Sequence, residues 1–386
     1  MDMRVLVIAW PCIHSGGAER WWYYVLSELR KISTSYYLIA IPLSLNRGCY
    51  KCPKTLNSSN MSIVYMKSGF ISWIKTLIKI IKERRVDIVI CGYQTPRLVL
   101  ATLLVSILTG RRHFTVFHSP IGWVPYTQGV KLSKRIKLLI RLYEFLNRLS
   151  HSIFCSPSVI CDLRRVHLNI KTFCYTKGSA VRKPISIAYH RYEDRDIDLV
   201  YLASISRAKG VYDIPLILKK IKEKIPNIRM VIIGRMPDDL REEIEELLKA
   251  YEVKNHVKIL GYVDGIEKFK ILAKSKVMIY PSYIDTFAIS VLEALTMGTP
   301  AIAYAIPAIV INYKTDAVIK IPIGSIDEMA KRAVEILSNV QYYQELSMKA
   351  IDYASTYTWN DIARDLLTCI IRIEEKRSSS SCMKIR

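Results

Sequence analysis

No apolar run in this 386-residue chain reaches the ~20 residues that cross a bilayer. The most apolar stretch, LVLATLLVSIL from Leu98 to Leu108, lies between Arg97 and the pair Arg111 and Arg112, and it reads as a buried helix. The opening MDMRVLVIAW lacks the basic segment that precedes the apolar core of a secretory leader, so it reads as a first strand. Cysteine is scattered and odd in number, nine in all. Cys49 and Cys52 form one C-x-x-C, but no second Cys or His pair follows at zinc-finger spacing. The pair reads as part of a loop and not as a metal site, and the chain as reduced and cytoplasmic.

Acidic residues are scarce in one half only. Residues 1–190 hold 28 Lys and Arg against 7 Asp and Glu, while residues 191–386 hold 29 against 27. The positive field belongs to the first half, which implies an anionic partner there: a membrane surface, a nucleic acid or a phosphorylated acceptor. Nucleic acid would call for aromatic stacking platforms or a docking motif. The one dense aromatic cluster, Trp21 to Tyr24, lies in a helical pattern and reads as core, so no nucleic-acid partner is expected.

Short apolar runs alternate with helical patterns along the whole chain. RVLVIAW, YYLIAIPL, VDIVICGY and HFTVFHS read as strands of the first half, and DIDLVYLAS, IRMVIIG, HVKILGY, KVMIYPS and PAIAYA as strands of the second. Such runs separated by helices argue for parallel sheets covered on both faces. The fold class is therefore α/β, two Rossmann-like doubly wound domains. Their expected spans are 1–185 and 197–355, followed by a helix over 356–376 and a disordered tail over 377–386. Ligands of such sheets sit beyond the carboxyl ends of the strands, so the loops after strands are the places to search.

Four candidate constellations fall there. Gly16 and Gly17 open a helix after the first strand, where their amides could approach an anion or a sugar; a plain turn accounts for them equally. His118 stands at a strand end, as catalyst or as packed residue. Ser204, Arg207 and Lys209 lie in a strand-to-helix loop, where two cations suit a diphosphate. In YPSYIDTFAISVLEALTMG, Asp285 and Glu293 flank seven uncharged residues. Asp285 either caps the following helix or accepts from sugar hydroxyls, and the amides of Thr286, Phe287, Ala288 and Ile289 are candidates for phosphate or sugar oxygens.

The ordered set GGAER, RAKGVYD, VKILGYVD, YPSYIDTFAISVLEALTMGTPAIA and YTWNDIARDLL resembles the retaining glycosyltransferases of the GT-B fold, family 4, also called glycosyl transferases group 1. The resemblance implies a nucleotide-sugar donor (a UDP-, GDP- or ADP-sugar), Glu293 on its ribose, the first acid on the donor sugar, and His118 near the transferred sugar. It implies a last helix that crosses back to the first domain and an acceptor held by that domain. Three positions depart from the family pattern. Asp285 replaces the first of two glutamates, Ser204 stands where an arginine is usual, with Arg207 available nearby, and Arg235 follows IIG where a second glycine is common. Asp194, Asp196 and Asp198 lie in the linker and not at a strand end, so neither a cofactor nor an essential metal is expected.

From Lys131 to Phe154, a helical count places Leu132, Ile136, Leu139, Tyr143, Leu146 and Ile153 on one stripe and Lys134, Lys137, Arg141 and Arg148 opposite. Together with the basic WIKTLIKIIKERR, this suits a peripheral association with anionic membrane. The expectation is a transferase acting on a glycan or lipid-linked acceptor at the inner membrane face. The alternatives are a soluble enzyme making a small glycoside or storage glucan, and a non-catalytic partner subunit with a decayed donor site.

Overall fold

The computed structural model describes residues 3–12, 17–42, 54–67, 69–93, 95–118, 149–165 and 173–375, with the single positions Lys134, Leu138 and Phe145. Gly16, Cys49, Cys52, most of the Lys131 to Phe154 pattern and the tail 377–386 lie outside them. The chain forms two compact units. The first takes its described residues from 3–179 and 359–375, the second from 180–358.

The first unit is built on strands β1 (Arg4–Ile8), β2 (Tyr36–Pro42), β3 (Met61–Met66), β4 (Ile88–Cys91), β5 (Arg112–Phe117), β6 (His151–Phe154) and β7 (Phe173–Tyr175), in the order β3-β2-β1-β4-β5-β6-β7. The second holds β8 (Ile197–Leu202), β9 (Met230–Ile233), β10 (Val257–Gly261), β11 (Ser275–Tyr280), β12 (Ala301–Tyr304) and β13 (Val318–Ile321), in the order β10-β9-β8-β11-β12-β13. Every pairing in both sheets is parallel. The central strands are almost wholly apolar because helices cover both faces, while the edge strands β3, β10 and β13 expose Tyr65, Lys258 and Lys320. In each sheet the order reverses direction once, between β1 and β4 and between β8 and β11. The loops beyond those strand ends form the natural ligand crevice of such a sheet.

Two sequence expectations change here. Ile153 does not continue the helical stripe: His151–Phe154 is a strand, inserted between β5 and β7. Ser152, Ile153 and Phe154 are buried, and a segment closed in on both sides meets its backbone hydrogen bonds through the ladder. The helix Pro96–Thr109 is not buried all round. Leu98, Val99, Ala101 and Val105 face the sheet, but Leu104, Ile107 and Leu108 are exposed.

Buried polar groups fix both units internally. His113 on β5 lies between Thr102 Oγ1 and Ser150 Oγ, each 2.8 Å away, and burial pushes its pKa down to about 3, so the ring bonds as a neutral group. In the second unit Arg195 is buried at the start of β8. It donates to the carbonyl oxygens of Ser275 (2.5 Å) and Met297 (2.8 Å) and to Thr299 Oγ1 (2.8 Å). A guanidinium with five rigid donors suits carbonyls that converge from several elements; here it joins the segment before β8 to β11 and to the end of the helix Ile289–Thr296.

The last helix, Trp359–Glu375, belongs to the first unit. It packs on the helix Gly17–Ile32, with Trp359 stacked 4.8 Å from Tyr24 and Asp365 Oδ2 accepting from the Lys177 amide at 2.8 Å. Cys369 is bonded to Cys174 of β7, and Cys12 is likewise in a disulfide. These bonds overturn the expectation of a fully reduced chain. Cys91 and Cys155 stay as free, buried thiols, which burial pushes up to about 11 and about 12.

The Cys174–Cys369 bond closes a loop of 195 residues, worth about 5 kcal/mol to the folded state in the chain-entropy model. Cys369→Ser is expected to lower stability by about 2–5 kcal/mol in chemical denaturation under oxidising conditions. With a reductant present the variant and the parent should melt alike.

Candidate functional site

At the carboxyl edge of the second sheet, two loops flank the reversal point. The first follows β8, closes a short 3-10 turn over Arg207–Lys209 and ends at Gly210 with φ +73°. The second runs from Pro281 to the helix Ile289–Thr296. They touch closely: a Cβ on Gly210 would stand 1.8 Å from the Pro281 carbonyl oxygen, so only glycine fits. The Tyr283 amide donates to Ala208 O at 3.1 Å, and Tyr201 Oη to Lys209 O at 2.9 Å.

The two loops are locked by charge. Lys209 Nζ lies 2.5 Å from Asp285 Oδ2 and 2.9 Å from Ile284 O, and Tyr280 donates to the same carboxylate oxygen. Asp285 Oδ1 accepts from the amides of Thr286 (2.7 Å), Phe287 (3.2 Å) and Ala288 (2.8 Å). Burial alone would raise the Asp285 pKa; the Lys209 ammonium and the hydrogen bonds outweigh it and hold the carboxyl below its usual value. The capping role considered for Asp285 is not realised: Ala288 stands at the N-cap of the helix Ile289–Thr296 with no side chain bonded there, and Asp285 closes the turn that precedes it. The expectation that these three amides await a ligand is corrected, because the side chain three residues back or nearer already accepts from them.

That turn bends through Ala288 in the left-handed region, φ 60° and ψ 53°. Its carbonyl is held by Tyr313 Oη at 2.8 Å. A left-handed alanine costs roughly 1–2 kcal/mol, and such strain survives only where the surroundings over-determine it.

Glu293 lies buried on the helix Ile289–Thr296. Its Oε1 is 2.7 Å from Nζ of Lys268, itself buried and 3.2 Å from Asp264 Oδ1. Sequence reasoning missed Lys268. Its spacing of four from Asp264, at the N-cap of the helix Gly265–Ala273, was a readable signal, whereas its pairing with Glu293 depends on the packing of two helices. Arg207 turns away from Lys209 to Glu243, 2.9 Å away, with its guanidinium 5.4 Å above Tyr212. It thus supplies no charge in place of Ser204, which stands exposed in the same loop. Beyond β9 and β10, the guanidinium of Arg235 lies 5.5 Å over the exposed ring of Tyr262. The Arg235 carbonyl accepts from Ile205 N at 3.0 Å, which ties this edge to the first loop.

In the first unit, Gly17 begins the helix Gly17–Ile32 after β1, and His118 follows β5. The imidazole is ringed by Trp21, Tyr93 and Trp22, at 5.3, 6.0 and 6.3 Å between ring centres. Burial pushes its pKa down to about 4, against a hydrogen bond with the Gly92 carbonyl, so the ring is neutral near pH 7. Trp22 Nε1 donates to the same carbonyl at 2.8 Å. Among the described residues no cluster of His, Cys, Asp or Glu could hold a metal ion.

The family described as glycosyl transferases group 1 matches residues 183–355. An uncharacterized glycosyltransferase of Methanocaldococcus jannaschii is 25% identical over 176 residues, 45% of this chain and 44% of that protein. The 2-deoxystreptamine N-acetyl-D-glucosaminyltransferase of Niallia circulans is 26% identical over 152 residues, 39% of this chain and 38% of that protein. The matches thus span less than half the length of these curated relatives. Among solved structures, Anabaena HepE in complex with UDP and glucose superposes with a TM-score of 0.71 at 15% identity, covering 98% of this chain and 100% of its own. That likeness is one of fold, and the fold is GT-B.

Two outcomes are expected of the Asp285 turn. Asp285→Asn should destabilise the protein at pH 7. A carboxyl held below its usual value stabilises above its unfolded value and loses that effect as pH falls through the folded one, so the deficit should narrow below about pH 4 in pH-dependent denaturation. Ala288→Gly trades relief of about 1–2 kcal/mol of strain against about 0.8 kcal/mol of lost methyl burial. Its melting temperature should match or exceed the parent's, while Ala288→Val should lower it.

Proposed function

Residues 183–355 match the family glycosyl transferases group 1, and from that match we propose that the protein transfers a hexosyl group from a nucleoside-diphosphate sugar. In this reading transfer retains the anomeric configuration, and the acceptor is a glycan or lipid-linked sugar at a membrane surface. The observation that carries it is the Lys209–Asp285 pair at the reversal point of the second sheet. A cation for a diphosphate and a carboxylate for sugar hydroxyls stand there side by side.

The ion pair keeps both groups aimed before a donor arrives. An incoming diphosphate shares or takes the Lys209 ammonium, and the freed Asp285 oxygen turns to the sugar. Glu293 serves the ribose, with Lys268 holding its other oxygen. The flat face of Tyr262 under Arg235 suits a nucleobase, through stacking and cation–π contact. In the transfer itself, the bond from the anomeric carbon to the phosphate oxygen breaks while the bond to the acceptor oxygen forms on the same face. The acceptor proton passes to the departing diphosphate, whose growing charge Lys209 stabilises. His118, neutral near pH 7, acts as a hydrogen-bonding and positioning group and not as the proton acceptor. The structural neighbour that holds UDP and glucose supports a uridine nucleotide among the candidates. A small soluble acceptor is the second reading, favoured by the relative named for 2-deoxystreptamine.

Calorimetric titration with UDP-, GDP- and ADP-sugars tests this directly. One nucleotide class should bind saturably, and Lys209→Ala should weaken it about 10- to 100-fold, the loss of a charge-assisted hydrogen bond of about 1.5–3 kcal/mol. Glu293→Gln, which leaves Lys268 a hydrogen-bond partner, should weaken the nucleoside contribution. A well-folded protein that binds none of the three classes would overturn the enzymatic reading.

A further inference from the structure

The helices Phe70–Arg84 and Pro96–Thr109 connect β3 to β4 and β4 to β5, and the chain between β5 and β6 is helical at Lys134, Leu138 and Phe145. These connections, and that from β6 to β7 through the helix Ser158–Arg165, step in the same direction along the sheet, β3-β2-β1-β4-β5-β6-β7. Right-handed crossovers in one direction place their helices on one face. The helix Gly17–Ile32 connects β1 to β2 in the opposite direction and so covers the other face. The last helix packs on it there, and among the described residues no element of this unit is seen to cover the outward side of the helices Phe70–Arg84 and Pro96–Thr109.

The outward side of that face is both apolar and cationic. On the central helix Leu104, Ile107 and Leu108 point outward, the last two 59% and 69% exposed. On the helix beside it, Lys75, Lys79 and Lys82 are exposed on one side while Trp73, Leu77 and Ile81 face the core. Of these three, Lys79 meets Glu83 at 3.8 Å, between two exposed side chains. Between β5 and β6, Lys134, Leu138 and Phe145 are helical and exposed, and Leu149, in a turn just before β6, is exposed as well. The three apolar members are 68%, 58% and 52% exposed.

We infer that this face is a docking surface for an anionic lipid bilayer. Its apolar ridge enters the interfacial region, and the flanking lysines meet lipid phosphates. Leu104, Ile107 and Leu108 form a ridge of large apolar side chains in water on one helix side, beside a row of lysines, and the strong positive charge of residues 1–190 selects an anionic partner. Docked on this face, the strands lie parallel to the membrane plane, and the carboxyl edge of the first sheet opens along the bilayer surface, where lipid-linked head groups stand. The inference deepens the membrane reading proposed above but does not depend on the donor chemistry.

The test is sedimentation of the full chain with vesicles of phosphatidylcholine alone or with phosphatidylglycerol added. Binding is expected only with the anionic lipid, falling at least tenfold at 0.5 M salt, in Lys75→Gln/Lys79→Gln/Lys82→Gln, and in Ile107→Ser/Leu108→Ser. The single variant Leu108→Ser, at a position with little core contact, should show an intermediate loss and guards against misfolding. Circular dichroism melts and the donor titration described above, run on the same proteins, separate this inference from the catalytic one. Donor binding by a folded protein that ignores anionic vesicles overturns the docking surface and leaves the transferase reading standing. Vesicle binding that is unchanged in every variant, or a dimer that Leu108→Ser converts to monomer, also overturns it.

Discussion

The Asp285 carboxylate receives hydrogen bonds from Lys209, Tyr280 and three successive amides, and the arrangement of the whole carboxyl edge of the second sheet follows from it. Through Lys209 it fixes the loop after β8; through Tyr280 it is joined to the end of β11. Through the amides it sets the turn that sends Ala288 into the left-handed region and aims the helix that carries Glu293. A carboxylate in so enclosed a place is stable only while its donors are in place. The same donors are groups that a phosphate could use, so in this structure Asp285 supplies the anion that they face. A one-methylene shortening from glutamate lets the side chain fold back onto its own turn.

The second ion pair works differently. Lys268 and Glu293 are both buried and each is anchored to a separate helix, so their contact holds helices and not loops. One pair thus joins two loops, and the other joins two helices. Rigid elements that support exchangeable loops are what a site needs if a charged ligand is to enter without rebuilding the core.

The architecture was largely legible in the sequence because a doubly covered parallel strand has an unmistakable composition: RVLVIAW, DLVYL and KVMIY contain little that could face water. The shorter strands hid. His151–Phe154 looks like the tail of a helical pattern until β5 and β7 close on it, and Val318–Ile321 carries a lysine in its four residues. Lys209, Asp285 and Glu293 could be picked out as site candidates by type and position after strands. Their partners could not. Lys209 and Asp285 are 76 residues apart, Cys174 and Cys369 are 195 apart, and alanine gives no hint of a left-handed backbone where glycine or asparagine would have done so. Arg207 shows the opposite failure: its sequence position promised a phosphate ligand, and a glutamate 36 residues on claims it instead.

The first unit is made from both ends of the described chain, and this sets an order in time. Its sheet and the helix Gly17–Ile32 leave the ribosome before the second unit, but the helix Trp359–Glu375 that packs on them leaves after it. At about 5–20 residues per second, tens of seconds of synthesis separate β7 from its covering helix. During that interval the second unit, contiguous from 180 to 358, can fold to completion while the first keeps an apolar seam open beside Tyr24. The first unit is therefore the one that finishes folding second, and Cys174 waits for Cys369 through the synthesis of the whole second unit.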